Sequence, residues 1–219
     1  MPTAIIISEG PADDVFLKNL IDVRGLKNLE VVRPGDEESY GDGGFQLRLE
    51  GLKIRPGIEQ SRAIIIVADN DENPAAAFPK IQKQIRDAGG YDVPQDPYQL
   101  SNRVALPPVA VVMLPANGQQ GSLDTLCLSA FNEGKYGGYL KCVNEIVNCV
   151  CATEEKWGKI QLAKLKVQGI LSTICKGDPY TPLKCAWIIQ PRNSRPGDIF
   201  PLTNPAFDSI TEFLRGIAA

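Results

Sequence analysis

The sequence predicts an α/β protein built on a mostly parallel sheet flanked by helices, and three observations carry that prediction. Short apolar runs without polar alternation recur around residues 5–7, 64–68 and 109–114, as strands buried on both faces require. Between them lie longer segments with helical apolar spacing, opened by Pro or Ser and stopped by Gly. The runs end at tips rich in Gly, Pro, Asp and Asn, and in open α/β sheets ligands bind in the loops at the carboxyl ends of the strands.

Residues 3–8 read as the first strand, ending at Glu9-Gly10. Pro11 then opens a helix with Asp13 and Asp14 in its first turn, where carboxylates oppose the positive end of the helix dipole. Val15, Phe16, Leu20 and Val23 are expected to face inward, with Gly25 as the stop. Residues 29–32 read as a strand, giving the strand–helix–strand order that opens a parallel crossover unit. Residues 33–44 read as loop, since their acids, glycines and proline suit no regular element. Phe45, Leu47, Leu49, Leu52 and Ile54 alternate like a strand but also suit a helix; a crossover is needed before the next parallel strand, so a helix ended by Pro56-Gly57 is expected.

The central strand, residues 63–68, runs into Asp69-Asn70-Asp71. A helix over 75–88 follows, with Phe78, Ile81 and Ile85 inward and Gly89-Gly90 at its end. Residues 91–107 suggest an irregular connector with one short strand around Val104. The run at 109–114 is again a strand, and Ser122 suits the N-cap of a helix reaching Phe131. Helices are expected over 139–151 and 156–174, their stripes (Leu140, Val143, Ile146, Val147, Val150; Ile160, Leu162, Leu165, Ile170, Leu171) serving as core. Residues 185–189 read as a last strand. Residues 205–217 read as an amphipathic helix through Phe207, Ile210, Phe213, Leu214 and Ile217. With no internal repeat or linker, the reading is one domain over 1–219, a core of about residues 1–130 carrying a helical elaboration with one added strand over 131–219.

Composition narrows the function. The chain has 219 residues, 43% hydrophobic and 22% charged, ordinary values for a globular protein. Its net charge of -3 gives no bulk attraction to a polyanion, so nucleic acid would need a local basic patch or a bound cation. No apolar run approaches the roughly 18 residues that span a bilayer, and the run at 5–7 lacks a basic flank, so a cytoplasmic protein with no membrane partner is expected. The six cysteines are too scattered for a disulfide framework, and buried free thiols are the favoured reading. Cys149-x-Cys151 is not a zinc spacing, and with no histidine a Cys/His zinc site is excluded. Acid–base chemistry must then use Asp, Glu, Lys, Tyr or Cys.

The acids are the informative feature. Asp69 and Asp71, one residue apart after a buried strand, can converge on one hard cation through oxygen ligands; equally, they can be turn and cap residues. Glu9 stands before a glycine and a proline, where it is poorly placed to cap anything. Asp124 lies beyond the next buried run. Carboxylates gathered at one edge of a sheet repel one another by several kcal/mol at contact for an effective dielectric of about 20, so the cluster implies a divalent cation.

With these residues in view the chain resembles a Toprim domain, the Rossmann-like metal-binding fold of topoisomerases, bacterial primases, recombination-mediator proteins and overcoming-lysogenization-defect (OLD) nucleases. Ile5-Ile6-Ile7-Ser8-Glu9-Gly10 and Ile64-Ile65-Ile66-Val67-Ala68-Asp69-Asn70-Asp71 carry the likeness. The segments 10–14, 114–118 and 121–124 are similar to stand-alone Toprim-like proteins related to the OLD nucleases. The resemblance implies Mg²⁺ or Mn²⁺ held by Asp69 and Asp71, with Glu9 as acid/base or further ligand. In the nuclease branch it also implies a second metal served by Asp13 and by Ser122 with Asp124. Asn73 stands where many Toprim domains have a third acid, which leaves Asp124 or Asp13 to supply that charge.

The expected function is therefore Mg²⁺-dependent cleavage of DNA or RNA, or a related phosphotransfer. Lys141, Lys159, Lys164 and Lys166 are candidates to contact phosphate, and the basic run 156–166 with Arg192 and Arg195 to hold the flanking backbone. The same run also reads as a solvated helix face. Two other functions fit: a non-catalytic nucleic-acid-binding or effector subunit partnering a separate ATPase, and a metal-dependent phosphatase or nucleotide-processing enzyme. A homodimer is also compatible with the sequence.

Overall fold

The computed structural model describes residues 3–32, 44–153, 157–175, 183–187 and 198–219. Its centre is a four-stranded parallel sheet formed by β1 (Ala4–Ser8), β2 (Leu29–Val31), β3 (Ile64–Asp69) and β4 (Val109–Leu114) in the order β2-β1-β3-β4. β1 and β3 pair in register from Ile5 opposite Ile64 to Ser8 opposite Val67. The residues of β1, β3 up to Ala68, and β4 are all buried, which is why these strands read as unbroken apolar runs.

Alternation survives inside the runs. Ile6, Ile65, Val67 and Val112 face one hydrophobic layer, while Ile5, Ile7, Ile64, Ile66 and Val111 face the other. The first layer holds α1 (Pro11–Val23), α4 (Leu123–Ser129), α5 (Glu133–Thr153), α6 (Lys159–Ile174) and α7 (Asp208–Ala218). The second holds α2 (Gly44–Lys53) and α3 (Pro74–Ala88). Phe16 of α1 ties the C-terminal part to the sheet, its ring 5.4 Å from Trp187 and 5.3 Å from Phe207.

The order of the strands decides where the acids meet. From β1 the chain crosses outward to β2, then returns past β1 to β3 and continues outward to β4. The direction reverses between β1 and β3. Their adjacent carboxyl ends form the switch point at which open α/β sheets make a crevice.

Several sequence expectations change. The segment is helical as far as Lys53, but Leu47 within α2 and Ile54 just past its end are exposed, while Phe45, Leu49 and Leu52 are buried, so the buried stripe follows helical spacing. Val23 and Ile146 are exposed, each lying off the stripe of its helix. The segment around Val104 forms no strand, and Val104 is exposed. α5 begins six residues before the expected 139, and α4 stops at Ser129, short of Phe131. Residues 183–186 form a 3-10 turn in place of the start of the strand expected at 185–189. Cys127 and Cys175 are buried, whereas Cys142, Cys149 and Cys151 are exposed on the outer side of α5. Of the loop read over 33–44, Gly44 instead begins α2, and residues 33–43, together with the basic residues Lys156, Arg192 and Arg195 and residues 188–189, lie outside the described residues. Among the described residues no helix is long and apolar enough to cross a membrane.

Candidate functional site

Each acid is held by the backbone around it. Glu9 follows β1, and its Oε1 accepts the Asp69 N–H at 3.2 Å across the switch point. Asp13, in the first turn of α1, accepts the Gly10 N–H through Oδ2 at 3.0 Å. Asp69 ends β3, and its Oδ1 accepts the Leu123 N–H, the first amide of α4, at 3.0 Å. The capping alternative raised for Asp69 and Asp71 therefore describes a real contact for Asp69, and Asp13 makes a similar one at the start of α1, each through one named oxygen.

Asp71 is placed by its main chain. It has a φ of +52°, a left-handed conformation that Asp and Asn tolerate better than most residues. It exchanges both backbone hydrogen bonds with Gly121, at 2.9 and 3.1 Å. Gly121 itself has a φ of +144°, and a Cβ there would lie 2.7 Å from Thr125 Oγ1. Asn70, buried between the two acids, donates from its amide to Ala116 O at 2.6 Å and from its backbone to Leu114 O at 2.9 Å. The loop after β3 is thus stitched to the loop after β4. Glu72 extends the stitching, accepting the Ile160 N–H at 3.1 Å and so capping α6 from another part of the chain.

The acids are costly to ionise together. Burial is the largest cause for Glu9, pushed up to about 7; the Asp69 N–H offsets it, and the charges of Asp13 and Asp71 add to it. Burial likewise raises Asp13 to about 6, opposed by the Gly10 N–H. Asp69 is pushed well above the usual carboxylate range by burial, then by Asp13 and Glu9. Asp124 is raised by burial and drawn back by Lys164. Cys127, enclosed beneath them, is raised by burial and by the charges of Asp124, Asp13 and Asp69.

Three cavities surround the cluster. One of about 240 Å³ between α2 and α3 is lined by Glu9, Asp69, Asp71, Arg48, Lys80 and Gln84. A second, about 460 Å³, lies between Asp71, Lys80 and Lys164. A third, about 470 Å³, is lined by Glu9, Asp13, Asp69, Asp124 and Lys164. Of the four lysines singled out in the sequence, Lys164 is the one that lines these cavities.

Sequence reading missed Lys80 and Arg48. Arg48 interrupts the buried stripe Phe45-Leu49-Leu52 at helical spacing, and a lone cation on such a stripe was the available signal. Its guanidinium donates to Ser8 O and, at 2.9 Å, to Val32 O, at the carboxyl ends of β1 and β2. Lys80 shares one face of α3 with Ala77, Ile81 and Gln84, and it lowers the pKa of Glu9.

A family model described as "Protein of unknown function (DUF3226)" matches residues 3–217. The chain belongs to the DUF3226 family. That match spans every acid of the cluster together with Arg48, Lys80 and Lys164. Comparison with curated proteins found no match, and comparison with solved structures found none.

The donor set suits a hard divalent cation: all oxygens, several of them desolvated carboxyls that lack enough counter-charge. Ser122 adds a buried hydroxyl that, among the described residues, makes no well-directed hydrogen bond, although it lies close enough to Asp124 to lower the pKa of that carboxyl. Ligation would require further convergence, since among the described residues no three acidic or thiol side chains come together closely enough to hold a metal ion.

Proposed function

We propose that this chain is a Mg²⁺-dependent nuclease, or a related phosphotransfer enzyme, acting on nucleic acid through the carboxylates at the β1/β3 switch point. The observation that carries the reading is that Glu9, Asp13, Asp69 and Asp124, from the ends of β1 and β3 and the first turns of α1 and α4, line one cavity as desolvated carboxyls whose ionised forms need a cation. The Toprim-like motif order supports it. Asp69 and Asp71 would hold one cation, with Asp13, Ser122 and Asp124 toward a second. Such ions, when bound, neutralise charge on the scissile phosphate and lower the pKa of an attacking water.

The protein's own residues supply the rest. Glu9, titrating near 7, is suited to take a proton from water as its oxygen bonds to phosphorus and to return it to the leaving oxygen as the old P–O bond breaks. Lys164 supplies positive charge to the two larger cavities, where the strand's backbone would lie. The test is cleavage of labelled single-stranded DNA, duplex DNA and RNA with and without Mg²⁺ or Mn²⁺. Metal-stimulated cleavage lost in Glu9→Ala and Asp69→Ala is expected, and equal residual cleavage in those variants refutes the reading.

The incomplete convergence of the acids among the described residues favours one second reading, a nucleic-acid-binding or effector subunit that partners a separate ATPase. Metal-dependent binding without turnover on the same substrates distinguishes it.

A further inference from the structure

The cavity of about 460 Å³ lies between the first turns of α3 and α6, and part of its wall is apolar: Ala76 and Ala77 from α3 and the buried Ile160 from α6. The two alanines leave no long side chain standing out into the space. Two carboxamides, Asn73 and Gln161, also line it. Asn73 immediately precedes α3, yet its side chain makes no capping hydrogen bond there. Gln161 lies in the first turn of α6, with its Oε1 beside Gly158, where a Cβ would meet it. Glu72, by contrast, is committed, since its carboxylate accepts the Ile160 N–H at 3.1 Å and the side-chain amide of Gln120. Asp71 also lines the cavity that Glu9 and Asp69 line, so the space adjoins the acid cluster.

We infer that this cavity receives one unstacked nucleobase of the strand whose phosphate lies at the acid cluster, with Asn73 and Gln161 reading the edge of that base. The inference rests on the reading of the acid cluster as a cation and nucleic-acid site. A carboxamide offers an N–H donor and a C=O acceptor side by side, the pattern with which Asn and Gln engage a base edge. The low apolar surface of Ala76 and Ala77, with Ile160 lining the same space, suits the face of a planar ring. Size points the same way. At about 460 Å³ the space falls within the roughly 300–1,000 Å³ of pockets that enclose a small ligand, enough for a base with its sugar. A base held there has left its stack, so the substrate is a single strand or a duplex opened at that base.

The test has two stages on the full chain. Mn²⁺ binding is measured first, by the loss of its free EPR signal. The protein is then titrated, in Ca²⁺, with a short fluorescent single strand and with a wholly abasic strand of the same length, which keeps every phosphate and lacks every base; fluorescence anisotropy reads both. The intact strand is expected to bind about tenfold more tightly than the abasic one. Asn73→Ala combined with Gln161→Ala should bring that ratio close to one, with Mn²⁺ binding and affinity for the abasic strand unchanged. Ala76→Phe, which fills the space from an exposed position on α3, should do the same. Equal affinity for the two strands in the unaltered protein, or a ratio that survives both variants, overturns the base pocket while the cation reading stands. A nucleoside monophosphate that binds as tightly as the intact strand overturns the assignment to a strand. Failure to bind Mn²⁺, or to bind the abasic strand at all, overturns the reading of the acid cluster and the pocket with it.

Discussion

Between pH 5 and pH 8 the metal-free protein is expected to lose stability, and a divalent cation is expected to return it. Glu9 titrates at about 7 in the folded state against an ordinary 4.5, and Asp13 at about 6 against 3.8. A carboxyl with a raised folded pKa binds its proton more tightly folded than unfolded. Its stabilising effect is therefore complete below the unfolded value and is lost as pH rises through the folded one, here from about 4.5 to about 7 for Glu9. For Glu9 alone this amounts to roughly 3 kcal/mol, of which about 2 to 3 kcal/mol falls between pH 5 and pH 8. Asp13 acts in the same direction, but the acids share one field, so the two contributions do not simply add.

The assay is urea unfolding followed by circular dichroism at both pH values, in EDTA and in excess Mg²⁺ or Mn²⁺. In EDTA the unfolding free energy should be lower at pH 8 by about 2 to 3 kcal/mol or somewhat more, and Glu9→Gln should flatten that slope. The cation should stabilise strongly at pH 8 and little at pH 5, where protons occupy the same oxygens. Equal stability at the two pH values in EDTA, or equal stabilisation by the cation at both, refutes the reasoning.

Other perturbations separate chemistry from scaffold. Glu9→Gln should lower metal-stimulated cleavage by about 100-fold or more while the circular dichroism spectrum stays unchanged. Asn70→Ala removes a buried amide that joins the two acid-bearing loops, and urea unfolding should show a loss of about 1 to 3 kcal/mol. Gly121→Ala, at a φ of +144° with Thr125 in the way, should destabilise by a comparable ~1–3 kcal/mol and weaken Mn²⁺ binding through the main-chain pairing with Asp71. Glu72→Ala should loosen α6 at its start, read as faster amide exchange at Ile160, with about 0.5 to 2 kcal/mol of stability lost.

Much of the fold was legible because its strands are buried on both faces and its helices are punctuated. The apolar runs at 5–7, 64–68 and 109–114 are strands in the structure, and Pro11 and Ser122 stand at helix starts as expected. What misled was local pattern without a partner. Leu47 and Ile54 fit an alternating stripe in one dimension, yet α2 turns Leu47 to solvent and ends before Ile54, which is exposed too. The apolar setting of Cys142, Cys149 and Cys151 suggested burial, but α5 packs through Tyr136, Val143 and Val147 and leaves those thiols outside.

The sequence by itself determined which residues carry charge at the ends of buried strands, because an apolar run that stops at an acid is a local fact. Strand order decided which of those acids meet. The reversal between β1 and β3 brings Glu9 beside Asp69, and the bridge from Asp71 to Gly121 brings the start of α4 with Ser122 and Asp124 alongside. The helix layers then set Arg48 and Lys80 on one flank and Lys164 on the other. Those positions depend on residues as far apart in the chain as Glu9 and Lys164 being packed at one sheet edge, and no local pattern encodes that separation.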